Sequence, residues 1–321
     1  MTSKEASTNQ SWFLSHSCGD WVSAGARSTD SGLLHAGSAH RIGVCAGQGL
    51  ELDSGSCTQS LLSGTESFTA RRDLGQHNGV KQIGLEEALQ STDIHAALIC
   101  TDNQNHEESI RRFLEAGKHV LVEYPLALSE QAAHELWQLA ELTGKVLHVE
   151  HIELLTEEYK QLKKEVDGKK LVEGVLHFTG GPLDTQRSGF PSFSGIARVS
   201  WLVHLFGDLT VTSATAEENK QEQYSKVTAH FTTADNRPLT WIEERAPGLK
   251  RSKKVKFTFT SGVLDVLPAA PSASVGPFMQ DQNLFARKLL GQVSKEDLAA
   301  EKKRILHCIH LAEMIKQFCQ H

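Results

Sequence analysis

Apolar positions between residues 67 and 151 alternate between strand-length runs and segments with helical spacing. Three apolar runs predict buried strands, at 95–101, 119–125 and 145–151. Three segments have the spacing of amphipathic helices, at 84–92, 105–118 and 129–144. Strands and helices that alternate with short connections predict an α/β domain with a parallel, Rossmann-type sheet.

From residue 152 the pattern changes, and it predicts an α+β domain around a mainly antiparallel sheet. Helices are expected at 155–166 and 193–207, and a strand at 172–181. Two strand pairs are expected to turn at Asp235-Asn236 and at Ser261-Gly262. A long helix opened by Ser294 closes the chain.

Residues 1–66 have a different composition. They include thirteen serines and nine glycines, a third of the segment, and they show no sustained apolar period. Such a segment buries too little apolar surface to offset the entropy of ordering it, which predicts a largely disordered or irregular region. The expected organisation is a divergent segment, a dinucleotide-binding domain and a substrate domain, at 1–66, 67–151 and 152–321.

Charge and composition exclude several classes of function. The net charge of −6 argues against a broad nucleic-acid surface. No apolar run approaches the roughly 18 residues that a membrane span needs, and the first residues lack a signal-peptide pattern. Six cysteines spread over 321 residues do not make a disulfide framework. We therefore expect a cytoplasmic monomer without a membrane span.

Two polar segments follow predicted strands. Arg71-Arg72 stand where a second strand should end, where arginine can bind the 2′-phosphate of NADPH. From this pair alone, two solvated surface arginines are favoured. Gln104, Asn105 and His106 open the helix after the run at 95–101. Helix N–H groups and amides there suit a pyrophosphate or nicotinamide, and Asn105 also suits an ordinary helix cap.

The stretch 117–129, GKHVLVEYPLALS, carries the most specific motif. A strand followed by Glu-x-Pro and a helix is similar to the Gfo/Idh/MocA-like oxidoreductases, which join a Rossmann domain to a substrate domain. Most of them have lysine at the central position, where this chain has Tyr124. With that tyrosine, residues 67–321 resemble the biliverdin reductase A family, in stretches such as KVLHVEHIELL, FSGIARVSWLVHLFG, WIEERAPGLKR and AAEKKRILHC.

The resemblance implies hydride transfer from NADPH or NADH to the C10 methine of biliverdin, giving bilirubin in haem breakdown. It implies cofactor contacts from Arg71, Arg72, Asp73, Leu74, Gln104, Asn105, His106, Glu107 and Tyr124. It implies a catalytic bilin site formed by Glu123, Tyr124, Glu150, Glu153 and Arg198. Arg198 would clamp a propionate or relay a proton, although position alone also fits a surface cation at Arg198 and a surface pair at Glu150 and Glu153.

The resemblance also implies zinc ligands near the C-terminus. His307, Cys308 and Cys319 match that pattern, and Gln320 stands at the last ligand position, with His321 beside it. Cys308 and Cys319 are eleven residues apart, roughly 16 Å along a continuous helix. One zinc ion with thiolate bonds near 2.3 Å reaches both only if the last turns unwind.

The stretch 42–55, IGVCAGQGLELDSG, matches a dinucleotide loop incompletely. Gly47 and Gly49 supply two glycines of G-x-G-x-x-G, but Leu52 stands at the third. RIGVC is a poor central strand, because buried parallel strands read as continuous apolar runs. Two alternatives to a working reductase therefore stay open. One is a catalytically impaired bilin-binding or scaffold protein, and the other is a related NADP-dependent dehydrogenase, which Tyr124 argues against.

If Arg71 and Arg72 read the 2′-phosphate, replacing both with alanine should weaken NADPH binding far more than NADH binding. The reason is that only NADPH carries that phosphate. Calorimetric titration of both cofactors measures this. Equal losses for the two cofactors would show that the arginines do not contact that group.

Overall fold

The computed structural model describes residues 42–46 and 83–320. The chain divides into two compact units. Of the described residues, the first contains 42–46, 83–123 and Leu136–His148. The second contains Tyr124–Glu135 and residues 149–320.

The described strands of the first unit form one sheet, in the order β1 (Ile42–Ala46), β2 (Ala96–Cys100), β3 (His119–Val122) and β4 (Leu147–Val149). β1 pairs with β2, and β2 with β3, in parallel. Every residue of β2 is buried, as its unbroken apolar run requires for a parallel strand. The associated helices are α1 (Leu85–Gln90), α2 (His106–Glu115) and, from Leu136 onward, α3 (Glu130–Thr143). The predicted parallel α/β sheet is confirmed.

The segment Ile42–Ala46 departs from the sequence-based expectation, which argued against a buried strand here. It lies beside β2 in parallel register, with Ile42 opposite Ala96 and Ala46 opposite Cys100. Backbone pairing explains the difference, because the edge of β2 has N–H and C=O groups that need partners whatever the neighbouring side chains are. Gly47, Gly49 and Leu52 lie outside the described residues.

The second unit is built on a six-stranded sheet with the order β10-β9-β5-β8-β7-β6. The strands are β5 (Leu171–Gly180), β6 (Leu209–Asn219), β7 (Tyr224–Thr233), β8 (Pro238–Arg245), β9 (Ser252–Phe259) and β10 (Gly262–Leu264). Neighbours are antiparallel except β5 and β8, which pair in parallel. Both predicted hairpins are present, and Asn236 and Gly262 take the positive φ angles that their turns need.

The helices of this unit are α4 (Ile152–Leu155), α5 (Glu157–Val166), α6 (Thr185–Ser188), α7 (Pro191–Ser194), α8 (Ile196–Phe206), α9 (Pro277–Leu289) and α10 (Lys295–Gln320). α8 is buried over eight consecutive residues and packs against α10. α10 starts as predicted, since the Asp297 amide donates to Ser294 Oγ at 3.0 Å. Within the described ranges, no helix has both the length and the apolar character that crossing a bilayer requires.

The core of the second unit depends on a close approach at Gly195, between α7 and α8. Trp241 of β8 is fully buried, and its indole lies where a Cβ atom on Gly195 would be. The backbone of Gly195 has φ −79° and ψ −5°, which any residue can adopt. Glycine is therefore required here for packing rather than for backbone conformation.

Replacing Gly195 with alanine should lower the free energy of unfolding by about 1–3 kcal/mol, because the new methyl group overlaps the Trp241 ring. Urea-induced unfolding measures the change. The matched control is Gly181→Ala, where a Cβ atom meets nothing within 4 Å. Equal midpoints for the Gly195→Ala variant and the unmodified chain would contradict the packing described.

Candidate active site

The first unit exposes two amide side chains beyond the carboxyl end of β2. A 3-10 turn, Asn103–Asn105, leads directly into α2. The side chains of Gln104 and Asn105 are exposed, and the Asn105 side chain makes no capping hydrogen bond to the helix. The capping role left open for Asn105 is therefore not used, and both amides lie beside the first N–H groups of α2.

His106 and Glu107, which follow these amides, have protein partners. His106 is fully buried, and its Nε2 donates to the carbonyl oxygen of Thr101 at 3.1 Å. Glu107 forms an ion pair with Arg111 at 3.2 Å, one turn along the helix. His106 thus fixes the connection from β2 to α2, while the two preceding amides present polar groups outward.

Other expected positions lie elsewhere or are not described. Arg71, Arg72, Asp73 and Leu74 lie outside the described residues. Glu123 ends the first unit just after β3, where its amide donates to the Ile99 carbonyl at 3.1 Å and its side chain is partly exposed.

Tyr124 begins the second unit, and its peptide bond to Pro125 is cis. Burial raises the pKa of its phenol, Arg198 opposes that shift, and the carboxylates of Glu150 and Glu153 add to it. The hydroxyl is therefore close enough to all three charged groups to respond to them. The structure brings these four sequence-predicted residues into one neighbourhood.

Arg198 is 2% exposed, so the alternative of a helix-surface cation is wrong. Its Nε donates to Glu243 Oε2 at 3.2 Å, and its Nη2 donates to Glu243 Oε1 at 2.6 Å. Nη2 also donates to the Ser194 carbonyl at 2.9 Å. Burial opposes the positive charge, but Glu243 holds the pKa of Arg198 above its ordinary value.

Glu243 is shared by a second arginine. Arg245 donates to Glu243 Oε1 from Nε at 2.9 Å and from Nη2 at 2.6 Å. The guanidinium carbons of Arg198 and Arg245 lie 4.4 Å and 4.7 Å from the centre of the Phe178 ring. Two cations thus stack on one aromatic ring while one carboxylate neutralises half of their charge.

Strand register assembles this cluster. The parallel pairing of β5 with β8 sets Phe178 opposite Glu243 and Gly180 opposite Arg245. On the other side of β5, Lys253 of β9 is opposite Phe178. A Cβ atom on Gly180 would lie 2.8 Å from Arg245 Nη1, so the missing side chain makes room for the guanidinium.

Glu153 is the second buried carboxylate of the site. Arg251 Nη2 donates to its Oε1 at 2.8 Å, and Lys253 Nζ donates to its Oε2 at 2.9 Å. Burial alone would raise the pKa of Glu153, but Lys253, Arg198 and Arg251 together outweigh it and hold that pKa below its ordinary value. Glu150 is also buried, so the alternative of a surface pair at these two positions is wrong.

Several members of this cluster belong to no motif that the sequence reveals: Phe178, Gly180, Glu243, Arg245, Arg251 and Lys253. One signal was available for Glu243. In β8, Leu239, Trp241 and Glu243 are buried at alternate positions, so a carboxylate occupies a place that the strand period gives to the core. A buried carboxylate implies a cationic partner.

The expected zinc ligands do not fit a metal site. α10 is continuous to Gln320, which holds Cys308 and Cys319 roughly 16 Å apart. His307 Nε2 accepts a hydrogen bond from the Leu209 amide at 3.0 Å, and burial raises the pKa of the Cys308 thiol to about 12. In the part of the chain that the structure describes, no group of three or more possible ligands can hold a metal ion. The zinc prediction is therefore not supported.

The ion pairs of Glu153 predict a pH-dependent contribution to stability. Because its pKa is lowered by folding, the carboxylate stabilises the fold above the ordinary value of 4.5, and this contribution is lost as pH falls through the lower folded value. Glu153→Gln should therefore lower the free energy of unfolding by about 1–3 kcal/mol at pH 7. The difference from the unmodified chain should shrink below about pH 4.5.

Urea unfolding of both proteins between pH 7 and pH 3.5 measures this difference. Glu165→Gln is the control, because the Glu165 side chain is 56% exposed and exposed ion pairs contribute little. A Glu153→Gln difference that is constant across the range would contradict the assigned ion pairs.

Comparisons with known proteins agree with this architecture. Residues 61–151 match the family model described as "Oxidoreductase family, NAD-binding Rossmann fold", and residues 159–271 match "Biliverdin reductase, catalytic". Among solved structures, a biliverdin reductase from Synechocystis sp. PCC 6803 in complex with biliverdin and NADP+ has a TM-score of 0.62 at 22% identity, covering 75% of this chain and 84% of that one. At that identity the likeness concerns the fold.

Curated relatives are much more similar in sequence. Biliverdin reductase A of Homo sapiens is 56% identical over 252 residues, which cover 78% of this chain and 85% of the relative. The Mus musculus protein is 54% identical over the same shares. The chain belongs to the biliverdin reductase A family, within the NAD-binding oxidoreductases that carry a Rossmann fold.

Proposed function

We propose that this chain reduces biliverdin to bilirubin with NADPH or NADH, as a step in haem breakdown. The observation that carries the proposal is that Arg198, Glu150 and Glu153 lie near enough to the Tyr124 phenol to act on its pKa. The 56% identity to the human relative supports it. The proposed enzyme is monomeric and cytoplasmic.

The first unit has residues that fit the cofactor. The exposed amides of Gln104 and Asn105 lie at the carboxyl end of a parallel strand, beside helix N–H groups. That is where open parallel sheets bind nucleotides. When bound, NADPH or NADH supplies the hydride. Gln104 and Asn105 would hold its polar groups at this edge.

Arg198 is best suited to stabilise negative charge. Hydride addition to a methine carbon of a neutral bilin leaves negative charge on the conjugated pyrrole nitrogens until a proton arrives. A buried guanidinium that stays charged lowers the energy of that state. The raised pKa of Arg198 argues against the proton-relay role, and its contacts with Glu243 leave little room for clamping a propionate.

Other residues of the cluster have complementary roles. The raised pKa of Tyr124 keeps its phenol protonated near neutral pH, so it offers a flat apolar wall and one hydrogen-bond donor. The side chain of Arg251 is 68% exposed, which leaves it accessible to a substrate carboxylate. The proton that completes the reaction then comes from solvent.

Purified full-length chain mixed with biliverdin and NADPH should lose the red absorbance of the bilin and form bilirubin. Tyr124→Phe should lower kcat by about tenfold or less, the worth of one hydrogen bond. Tyr124→Ala should lower kcat further, because it also removes the aromatic ring that contacts the bilin. Tyr224→Phe, on β7, is the control and should match the unmodified chain.

Two results would count against this function. If no bilirubin forms, the chain is not a biliverdin reductase. Biliverdin binding without turnover, seen as a shift of the bilin absorbance, would instead favour a bilin-binding protein. A Tyr124→Ala variant with unchanged kcat would remove Tyr124 from the site.

A further inference from the structure

We propose that Glu243 is a positioning residue that fixes the guanidinium of Arg198 so that one nitrogen, Nη1, faces the bilin. The inference rests on the proposed function for its chemistry and on contacts within the second unit for its geometry. Glu243 is 1% exposed and sits at the centre of the sheet, on β8.

The contacts of Arg198 determine which nitrogen is available. The Glu243 carboxylate accepts hydrogen bonds from Nε and Nη2, and the Ser194 carbonyl accepts a further one from Nη2. Among the described residues, no protein group accepts a hydrogen bond from Nη1. A guanidinium is planar and rigid, so fixing two of its nitrogens also fixes the direction of the third.

The stacked arginines make the carboxylate necessary. The guanidinium carbons of Arg198 and Arg245 both lie close to the centre of the Phe178 ring, at 4.4 Å and 4.7 Å. Burial and the charge of Arg198 lower the pKa of Arg245, and Glu243 opposes that shift. Like charges stacked on one ring in a buried site repel strongly unless an opposite charge lies beside them. Without the charge of Glu243, Arg245 would turn towards solvent and Arg198 would lose its fixed orientation.

The expected consequence concerns rate more than substrate affinity. Charge appears on the bilin nitrogens during hydride transfer, so a misdirected Nη1 loses a contact that strengthens in the transition state. A change limited to that contact lowers kcat and leaves KM for biliverdin nearly unchanged. A merely structural role for Glu243 would instead lower the amount of folded enzyme without this separation.

The test compares Glu243→Gln with Glu244→Gln in the full-length chain. Glutamine keeps the size of the side chain and removes its charge. Glu244 is the adjacent residue on β8, and it accepts from His177 Nε2 at 2.9 Å, away from the arginine cluster. Glu243→Gln should lower kcat by about tenfold or more, with KM for biliverdin within about threefold. Glu244→Gln should change neither.

A second measurement does not depend on turnover. The Nε–H of Arg198, assigned by its loss in Arg198→Lys, should exchange slowly with water in 15N NMR spectra of the unmodified chain. Its signal should shift when biliverdin is added, and Glu243→Gln should abolish both the protection and the shift. If Glu243→Gln does not fold, the unmodified chain still provides the exchange and titration data.

The outcomes separate the two proposals. A bilin-dependent shift without bilirubin formation would keep the role of Glu243 and remove the reductase function. Turnover with an unchanged kcat in Glu243→Gln would overturn the positioning role and keep the function. Arg198 Nε–H exchange as fast as that of the exposed Arg251, or no bilin-dependent shift, would also overturn it.

Discussion

The pairing of buried charge is the constraint on which the second unit depends. Glu243 is buried on a central strand of the sheet, and a carboxylate in that position is stable only when cations neutralise it. Arg198 and Arg245 meet that need, and Phe178 supports both guanidinium groups. The same contacts hold Arg198 charged near Tyr124, so a requirement of folding also produces the electrostatics that a reductase needs.

The parallel pair in the second sheet has a specific consequence. All its other strand neighbours are antiparallel, but β5 and β8 run together, and this sets Phe178 against Glu243 and Gly180 against Arg245. β9 then sets Lys253 against Phe178 from the other side. Residues distant in sequence thus form one row across three strands, and a shift of one residue would turn the charged side chains to the opposite face.

Local sequence was sufficient for much of the fold. The apolar run of β2 and the turn at Asn236 have periods and residue types that depend on near neighbours, so both were predictable. The strand at Ile42–Ala46 was not, because its partner lies about fifty residues away and pairs through backbone groups. Propensity within a short window contains no information about that partner.

The site was predictable only in part, for the same reason. The Glu-Tyr-Pro motif pointed to Tyr124, but position along a helix left Arg198 as either a buried or a surface cation. A signal existed, since Arg198 stands among the apolar residues of α8, most of which are buried. The pairing of Arg198 with Glu243 and its stacking on Phe178 follow from strand register, which sequence patterns alone do not determine.

Isotope transfer tests the central claim most directly. The chain would be given biliverdin and NADPH that carries deuterium on the transferred position of the nicotinamide, and the product would be analysed by mass spectrometry and NMR. Direct hydride transfer predicts bilirubin with one deuterium at C10. Bilirubin without the label, or no bilirubin at all, would contradict the account.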